Sequence, residues 1–382
     1  MKLWSIFKKT LREGLRDWLT LSLSLIFAPG VILLYWMITA GGSTAYHIII
    51  QNQDAGAQTA SGEWVSAGES VIEAIQDLSY ADGQPIFILD DVEDPAQIET
   101  RLQNRRSVLA IIIPAGFTQA LLDPGNPSDP LVFTGDLTNP YYSIAAVMAS
   151  SALDETMREI SGQPNPVGFE EIPLGGSAAR SEFEMYVPGI LVFSIIILVF
   201  STAMFGAREK ENGSLRRLQL TRMRPIEYLG GISLYHLLTG IAAMLITLGV
   251  ALLLGFHSQG SIWLVILIGS LAMLSIIGVG LIIAALSHSV AQAFVIANFP
   301  LAIMMFFSGS MFPIPATTLF TIAGQSVSAY DFIPATHAVA AMNKIFTLGV
   351  GISGITYEFI ALTILSIVYF GIGVWLFQKR SS

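Results

Sequence analysis

The sequence predicts a polytopic α-helical membrane protein, with six transmembrane helices and a mixed α/β extracytoplasmic domain inserted between helices 1 and 2. Three observations predict it. Of 382 residues, 53% are hydrophobic and 12% are charged, about half the roughly 25% charged residues of a soluble domain. No Asp, Glu, Lys or Arg occurs from Tyr228 to Tyr330, a run of 103 residues. The region 41–184, in contrast, carries 21 acidic residues against five basic ones, a net of −16 in a chain whose total is −9. A mean hydropathy of +0.64 and the absence of cysteine exclude a disordered chain, a disulfide scaffold, thiol catalysis and cysteine-rich metal sites. The acidic balance argues against a nucleic-acid partner.

A helix needs about 20 mainly apolar residues to cross the roughly 30 Å of hydrocarbon in a bilayer. Residues 2–18 come first and are too basic to cross. Leu3, Phe7, Leu11, Leu15 and Trp18 recur at helical spacing among Lys2, Lys8, Lys9, Arg12 and Arg16, so residues 1–18 predict an amphipathic helix lying at the cytoplasmic headgroup layer. The first span is 19–40, longer than the apolar core of a signal peptide and therefore a retained anchor. The second is 185–207, the 23 uncharged residues between Glu184 and Arg208. The long uncharged run divides at two polar turns, 255–261 and 287–289, into spans 228–254, 262–286 and 290–312. The sixth span is 359–377, and 313–358 forms an exterior re-entrant segment that precedes it.

Thirteen of the 19 basic residues lie in the N-terminal segment, in the 208–227 loop and in the C-terminal tail. Six spans put all three on one side, which the bias of Lys and Arg makes cytoplasmic. The chain is thus expected in the cytoplasmic membrane with both termini inside and the acidic region 41–184 outside. That region alternates β-rich runs (47–51, 86–89, 107–113, 131–135) with helical ones (65–78, 95–104, 141–160), as a small α/β domain does. Asp94 and Asn139, each before a proline, are expected N-caps.

No catalytic arrangement is present. There is no phosphate-binding G-x-x-x-x-G-K-[ST], no H-E-x-x-H and no G-x-S-x-G, so no enzyme activity, cofactor or metal is assigned to this chain. The acidic 90–94 cluster lacks an ordered calcium-ligand series and reads as a solvated loop. Polar residues within spans mark transport paths; Ser201, Gln292, Asn298 and Ser308 are the candidates. None is charged, so the energy for transport is expected from another chain. The 208–227 loop is the densest region. Ser214 is positioned to cap a short helix whose Leu215 and Leu218 share a side among Arg216 and other bases, a shape suited to a groove on a partner.

These residues resemble the permease subunits of type-2 ABC exporters, in the branch with a large exterior domain between spans one and two. The family's R-E-x-E-x-G-[ST]-L-x-x-L loop stands here as Arg208-Glu-Lys-Glu-Asn-Gly-Ser-Leu-Arg-Arg-Leu218. Phe307-Ser-Gly-Ser-Met-Phe-Pro313 and Phe332-Ile-Pro-Ala-Thr-His-Ala-Val339 are similar to other family segments. Arg222, where a proline is common, and Gly231, where a lysine often stands, depart from the pattern.

The resemblance implies a permease that pairs with a second permease, identical or paralogous, and with a separate ATPase subunit that holds ATP and magnesium. Arg208, Glu209, Lys210, Glu211, Gly213, Ser214, Leu215, Arg216 and Leu218 would be the ATPase-coupling residues, and re-entrant helices around 313–339 would gate the exit. Asp331 and Lys344 there would pair or line the exit. The rival reading is a membrane-anchored assembly or sensor protein whose exterior domain binds an envelope partner.

Overall fold

The computed structural model describes residues 2–39, 44–59, 62–80, 83–92, 94–104, 106–123, 129–137, 139–161, 181–213, 225–311, 318–322 and 325–381. They form two compact units: Met1–Ala40 with Pro173–Ser382, and Gly41–Ile172.

The first unit is helical. Helix α1 (Lys2–Arg16) is strongly amphipathic and buries Ile6, Phe7 and Thr10; α2 (Trp18–Thr39) is apolar and contains Pro29. Helices α7 (Glu182–Ile196) and α8 (Leu198–Glu211) run on as one rod with an irregularity at Ile197. Then follow α9 (Pro225–Leu253), α10 (Ile262–Leu286), α11 (Val290–Phe307), α12 (Pro334–Leu348) and α13 (Thr356–Ser381). Among the described residues, five helices are long and apolar enough to cross a membrane: 182–211, 226–253, 262–286, 290–307 and 352–379. They overlap the stretches expected as the second to sixth spans. The protein is therefore a mostly helical, polytopic membrane protein.

The breaks have local causes. Gly255, at φ +98°, opens the turn after α9. Ser287 and Ser289 separate α10 from α11, and the Ser289 hydroxyl accepts from the Gln292 N–H at 3.2 Å. Helix α11 stops at Phe307, five residues short of the expected 312, because Gly309 takes a left-handed conformation at φ +78°. At the other end of the rod, Ser181 and Glu184 form a reciprocal cap on α7. The Glu184 carboxylate also accepts from the His257 N–H at 2.9 Å, tying α7 to the turn after α9.

The α7–α8 rod and α10 are the most buried of the apolar helices, and α11 and α13 the least. Small residues let the backbones approach, as lipid-embedded helices require. A Cβ on Gly278 of α10 would overlap the Tyr369–Phe370 backbone of α13. Nearby, the Ser275 and Ser366 hydroxyls meet at 3.0 Å, and Ser366 donates to the Leu271 carbonyl at 2.7 Å.

The segment after α11 departs from the expected re-entrant helices. Residues 318–322 and 325–328 form an antiparallel hairpin with Phe320 opposite Val327. The run Thr-Leu-Phe-Thr-Ile favours strand because its β-branched and aromatic side chains suit an extended backbone. Among the described residues of 313–351, α12 alone is an α-helix. Asp331 and Lys344 do not pair. Asp331 is taken up as a cap, accepting from the Ser328 N–H at 2.6 Å and its hydroxyl at 2.7 Å, whereas Lys344 donates to Glu358 at 2.6 Å.

The second unit is α/β. Strands β1 (Tyr46–Asn52), β4 (Phe87–Leu89), β5 (Leu109–Ile113) and β6 (Val132–Thr134) form one sheet in the order β4-β1-β5-β6. β1 is parallel to both neighbours, and β6 is antiparallel. The alternation of a strand sends successive side chains to opposite faces. Ile48, Leu109, Ile111 and Ile113 enter one core with α3 (Ala67–Asp77), α5 (Phe117–Leu122) and α6 (Pro140–Ser161). Ile49 and Ala110 enter another with Ile98 and Leu102 of α4 (Pro95–Gln103).

Asn139 caps α6 through its side chain, accepting from the Tyr141 N–H at 3.1 Å. A small β2–β3 hairpin (Ala57–Gln58, Trp64–Val65) and α5 were not foreseen. The acidic cluster is internally satisfied at Asp90, which accepts from His47 at 3.0 Å and from Ser107 and pairs with Arg101 at 3.0 Å. Burial raises the Asp90 pKa, but the two hydrogen bonds and the nearby cations outweigh it and hold the carboxyl below the ordinary range.

Candidate coupling site and transport path

Four consecutive residues at the end of α8 bond to four different parts of the helical unit. Successive residues on an α-helix point about 100° apart, so a run of four polar residues addresses every side of the helix. Arg208 faces Asp17, between α1 and α2, at 3.7 Å. Glu209 is buried and accepts from the Tyr228 hydroxyl of α9 at 2.7 Å, with Lys9 of α1 at 3.9 Å. Lys210 donates to the carbonyls of Ala284, Ala285 and Ser287 at 3.3, 3.0 and 2.9 Å. These close the C-terminus of α10, where a cation meets the negative end of the helix dipole. Glu211 accepts from the Val290 N–H at 3.0 Å, which places a carboxylate at the positive end of α11.

The rod then ends. Asn212 is its C-cap and Gly213 adopts φ +65°, a conformation that favours glycine. Ser214, Leu215, Arg216 and Leu218, expected to form the partner-docking helix, lie outside the described residues.

The four path candidates do not converge. Gln292, Asn298 and Ser308 belong to α11 and its cap. Gln292 and Ser308 sit at opposite ends, roughly 24 Å apart at 1.5 Å per residue. Gln292 accepts from the His288 N–H at 2.7 Å, and the buried Ser308 hydroxyl accepts from the Ser310 N–H at 3.3 Å. Both are caps. Asn298 is exposed on an apolar face beside Phe299 and donates to the Phe294 carbonyl at 2.8 Å. Ser201 alone lines a cavity, of about 350 Å³, among α1, α2, the α7–α8 rod and α9.

Sequence reasoning missed Tyr228, Lys9 and Asp17 as partners of the 208–211 run. The separation of Tyr228 from Glu209, 19 residues, carries no periodic signal, and a basic N-terminal helix gives no hint of which acid its lysine will face.

The sequence model described as ABC-2 family transporter protein matches residues 17–375. The chain is 23% identical over 366 residues to ABC transporter G family member 20 of Dictyostelium discoideum, covering 91% of this chain and 46% of that protein. It is 27% identical over 199 residues to the Probable multidrug ABC transporter permease YbhS of Escherichia coli K12, covering 51% of each chain. The chain thus spans about half the length of the curated relatives it matches. No solved structure matches it. With the family pattern running through the helical unit and the α/β insertion alike, the chain belongs to the ABC-2 family of transporter proteins.

Proposed function

We propose that this chain is the permease subunit of an ABC exporter that moves its substrate outward across the cytoplasmic membrane. ATP hydrolysis would reside on a separate ATPase subunit docked on residues 208–225. The observation that carries this reading is the four-way anchoring of Arg208–Glu211. A displacement of the following loop would be passed at once to the α1–α2 junction and to α9, α10 and α11. In this reading α2 is the first of six spans, the α/β unit lies outside, and both termini are cytoplasmic. A second permease, identical or paralogous, would cover the outward face of α11, where Phe294, Val295 and Phe299 are exposed. The family match supports the reading, and so does the segregation of basic and acidic residues.

The test uses Leu215→Asp and Glu209→Ala. If Leu215 enters a groove, its burial contributes about 1.5–3 kcal/mol. Both variants should insert normally while losing ATPase capture in a pull-down, or transport-stimulated ATP hydrolysis. Wild-type capture and wild-type coupling in both would return the loop to a solvated basic flank and favour the anchored-sensor reading.

A further inference from the structure

The cavity beside α1 has a composition that suits an amphiphile. Ser194, Ser201 and Arg208 of the α7–α8 rod line it. Their spacing of seven residues makes one stripe along roughly 20 Å of helix, hydroxyl-bearing at one end and charged at the other. Facing the stripe, His236 of α9 is 3% exposed and, among the described residues, its Nε2 has no hydrogen-bond partner. Its ring is held edge-on between Phe205 and Tyr235. A buried nitrogen left unpaired is costly, and here it borders a space large enough for a small ligand.

The charged end holds Glu13, Asp17 and Glu209 against Lys9 and Arg208, a surplus of one negative charge. The acid–base pairs across it are long, at 3.6 Å for Lys9–Glu13, 3.9 Å for Lys9–Glu209 and 3.7 Å for Arg208–Asp17. Each is longer than a direct charge-assisted hydrogen bond of about 2.7–2.9 Å, so these carboxylates keep lone pairs to offer a further donor that approaches from the cavity side. Leu21, Tyr235 and Thr239 also line a second, apolar groove of about 240 Å³, which continues between Leu11, Leu15 and Leu238. A chamber that carries charged and hydroxyl groups among apolar side chains therefore adjoins a wholly apolar groove beside the amphipathic helix.

We propose that this joined space binds an amphiphile with an ammonium head and an apolar tail. The head lies among Glu13, Asp17 and Glu209, with His236 and the serine hydroxyls offering acceptors, and the tail lies in the leucine groove. The ligand is either a membrane lipid with an ammonium headgroup or a dissolved cationic amphiphile. The site lies within one chain and requires neither an ATPase nor a second permease. Binding and coupling can therefore fail independently.

The experiment uses the full chain in nanodiscs of phosphatidylglycerol, titrated with a dansyl-tagged dodecylammonium probe. Saturable binding is expected, displaced by unlabelled dodecylammonium and not by dodecyl sulfate. Replacing half of the lipid with phosphatidylethanolamine should displace the probe if the lipid is the occupant; unchanged binding assigns the site to the dissolved amphiphile. Ser201→Phe, which fills the chamber, and Thr239→Met, which fills its junction with the groove, should each abolish saturable binding. Glu13→Gln should weaken it roughly threefold, as expected for a half-exposed pair. Equal displacement by dodecyl sulfate overturns the proposal, as does wild-type binding in whichever of the two filling variants folds.

Discussion

The Tyr228 hydroxyl donates a 2.7 Å hydrogen bond to the Glu209 carboxylate, and both side chains are buried. Glu209 lies near the end of α8 and Tyr228 near the start of α9, so the bond joins the two helices that flank the coupling segment. Tyr228→Phe keeps the ring and removes the donor. A buried carboxylate short of a partner costs about 1–3 kcal/mol, so the variant should unfold at lower temperature in detergent. Tyr228→Phe with Glu209→Gln should lose less than the sum of the single changes, because neighbours that share one bond are not additive. Strict additivity would show that the bond contributes nothing.

Much of this fold could be read from composition and period alone. Charge-free length located the five helices that are long and apolar enough to cross a membrane, since a charge in hydrocarbon is costly. Strand alternation found β1 and β5, whose isoleucines serve two cores. The hairpin at 318–328 escaped because three prolines, Pro313, Pro315 and Pro334, suggested broken helices, and strand pairing depends on a partner outside the local window. The candidate site was half legible. The Arg208–Glu211 run stood out as charge next to an apolar span, but its bonds go to residues as distant as Asp17 and Val290. Polar residues of α11 read as path candidates in the sequence, and their local bonds as caps and to a backbone carbonyl are a feature that only backbone geometry shows.

Gly278 sets the approach of α10 to α13. A Cβ there meets backbone atoms of Tyr369 and Phe370, which cannot swing aside as a flexible side chain would. Gly278→Ala should push the helices apart, at a cost of about 1–3 kcal/mol for overpacking. It should also weaken the Ser275–Ser366 contact, in which the two hydroxyls meet at 3.0 Å. Thermal unfolding in detergent measures the loss. Gly371→Ala, where nothing lies within 4 Å of the added carbon, is the control and should be close to neutral. Equal stability of the two variants would refute the close-approach account.

Asp90 predicts a pH dependence of the α/β unit. Its folded pKa lies below the ordinary 3.8, so its contribution is full above that value and disappears as the pH falls through the lowered one. Asp90→Asn should destabilise the protein at neutral pH by about 1–3 kcal/mol, the cost of breaking a charged hydrogen-bond cluster. The difference from wild type should shrink as the pH falls below 3.8 and through the lowered pKa. Following the unfolding of this unit by circular dichroism across that range provides the check. A gap that stays constant across it would mean that the carboxylate charge is not what holds Ser107, His47 and Arg101 together.

The last prediction concerns sidedness, and the absence of cysteine makes it clean to measure. Glu73 is exposed on α3 of the acidic unit, and Arg12 is exposed on the basic α1. One helix, α2, separates α1 from the α/β unit along the chain. If α2 crosses the bilayer, the two positions lie on opposite sides, with the basic one inside because Lys and Arg near span ends are retained in the cytoplasm. Glu73→Cys should therefore react with a membrane-impermeant maleimide in intact cells, and Arg12→Cys only after permeabilisation. The reverse pattern would invert the topology. Labelling of both before permeabilisation would put α1 and the α/β unit on one face, reduce the spans from six to five, and leave the acidic unit without the membrane crossing that separates it from the basic N-terminus.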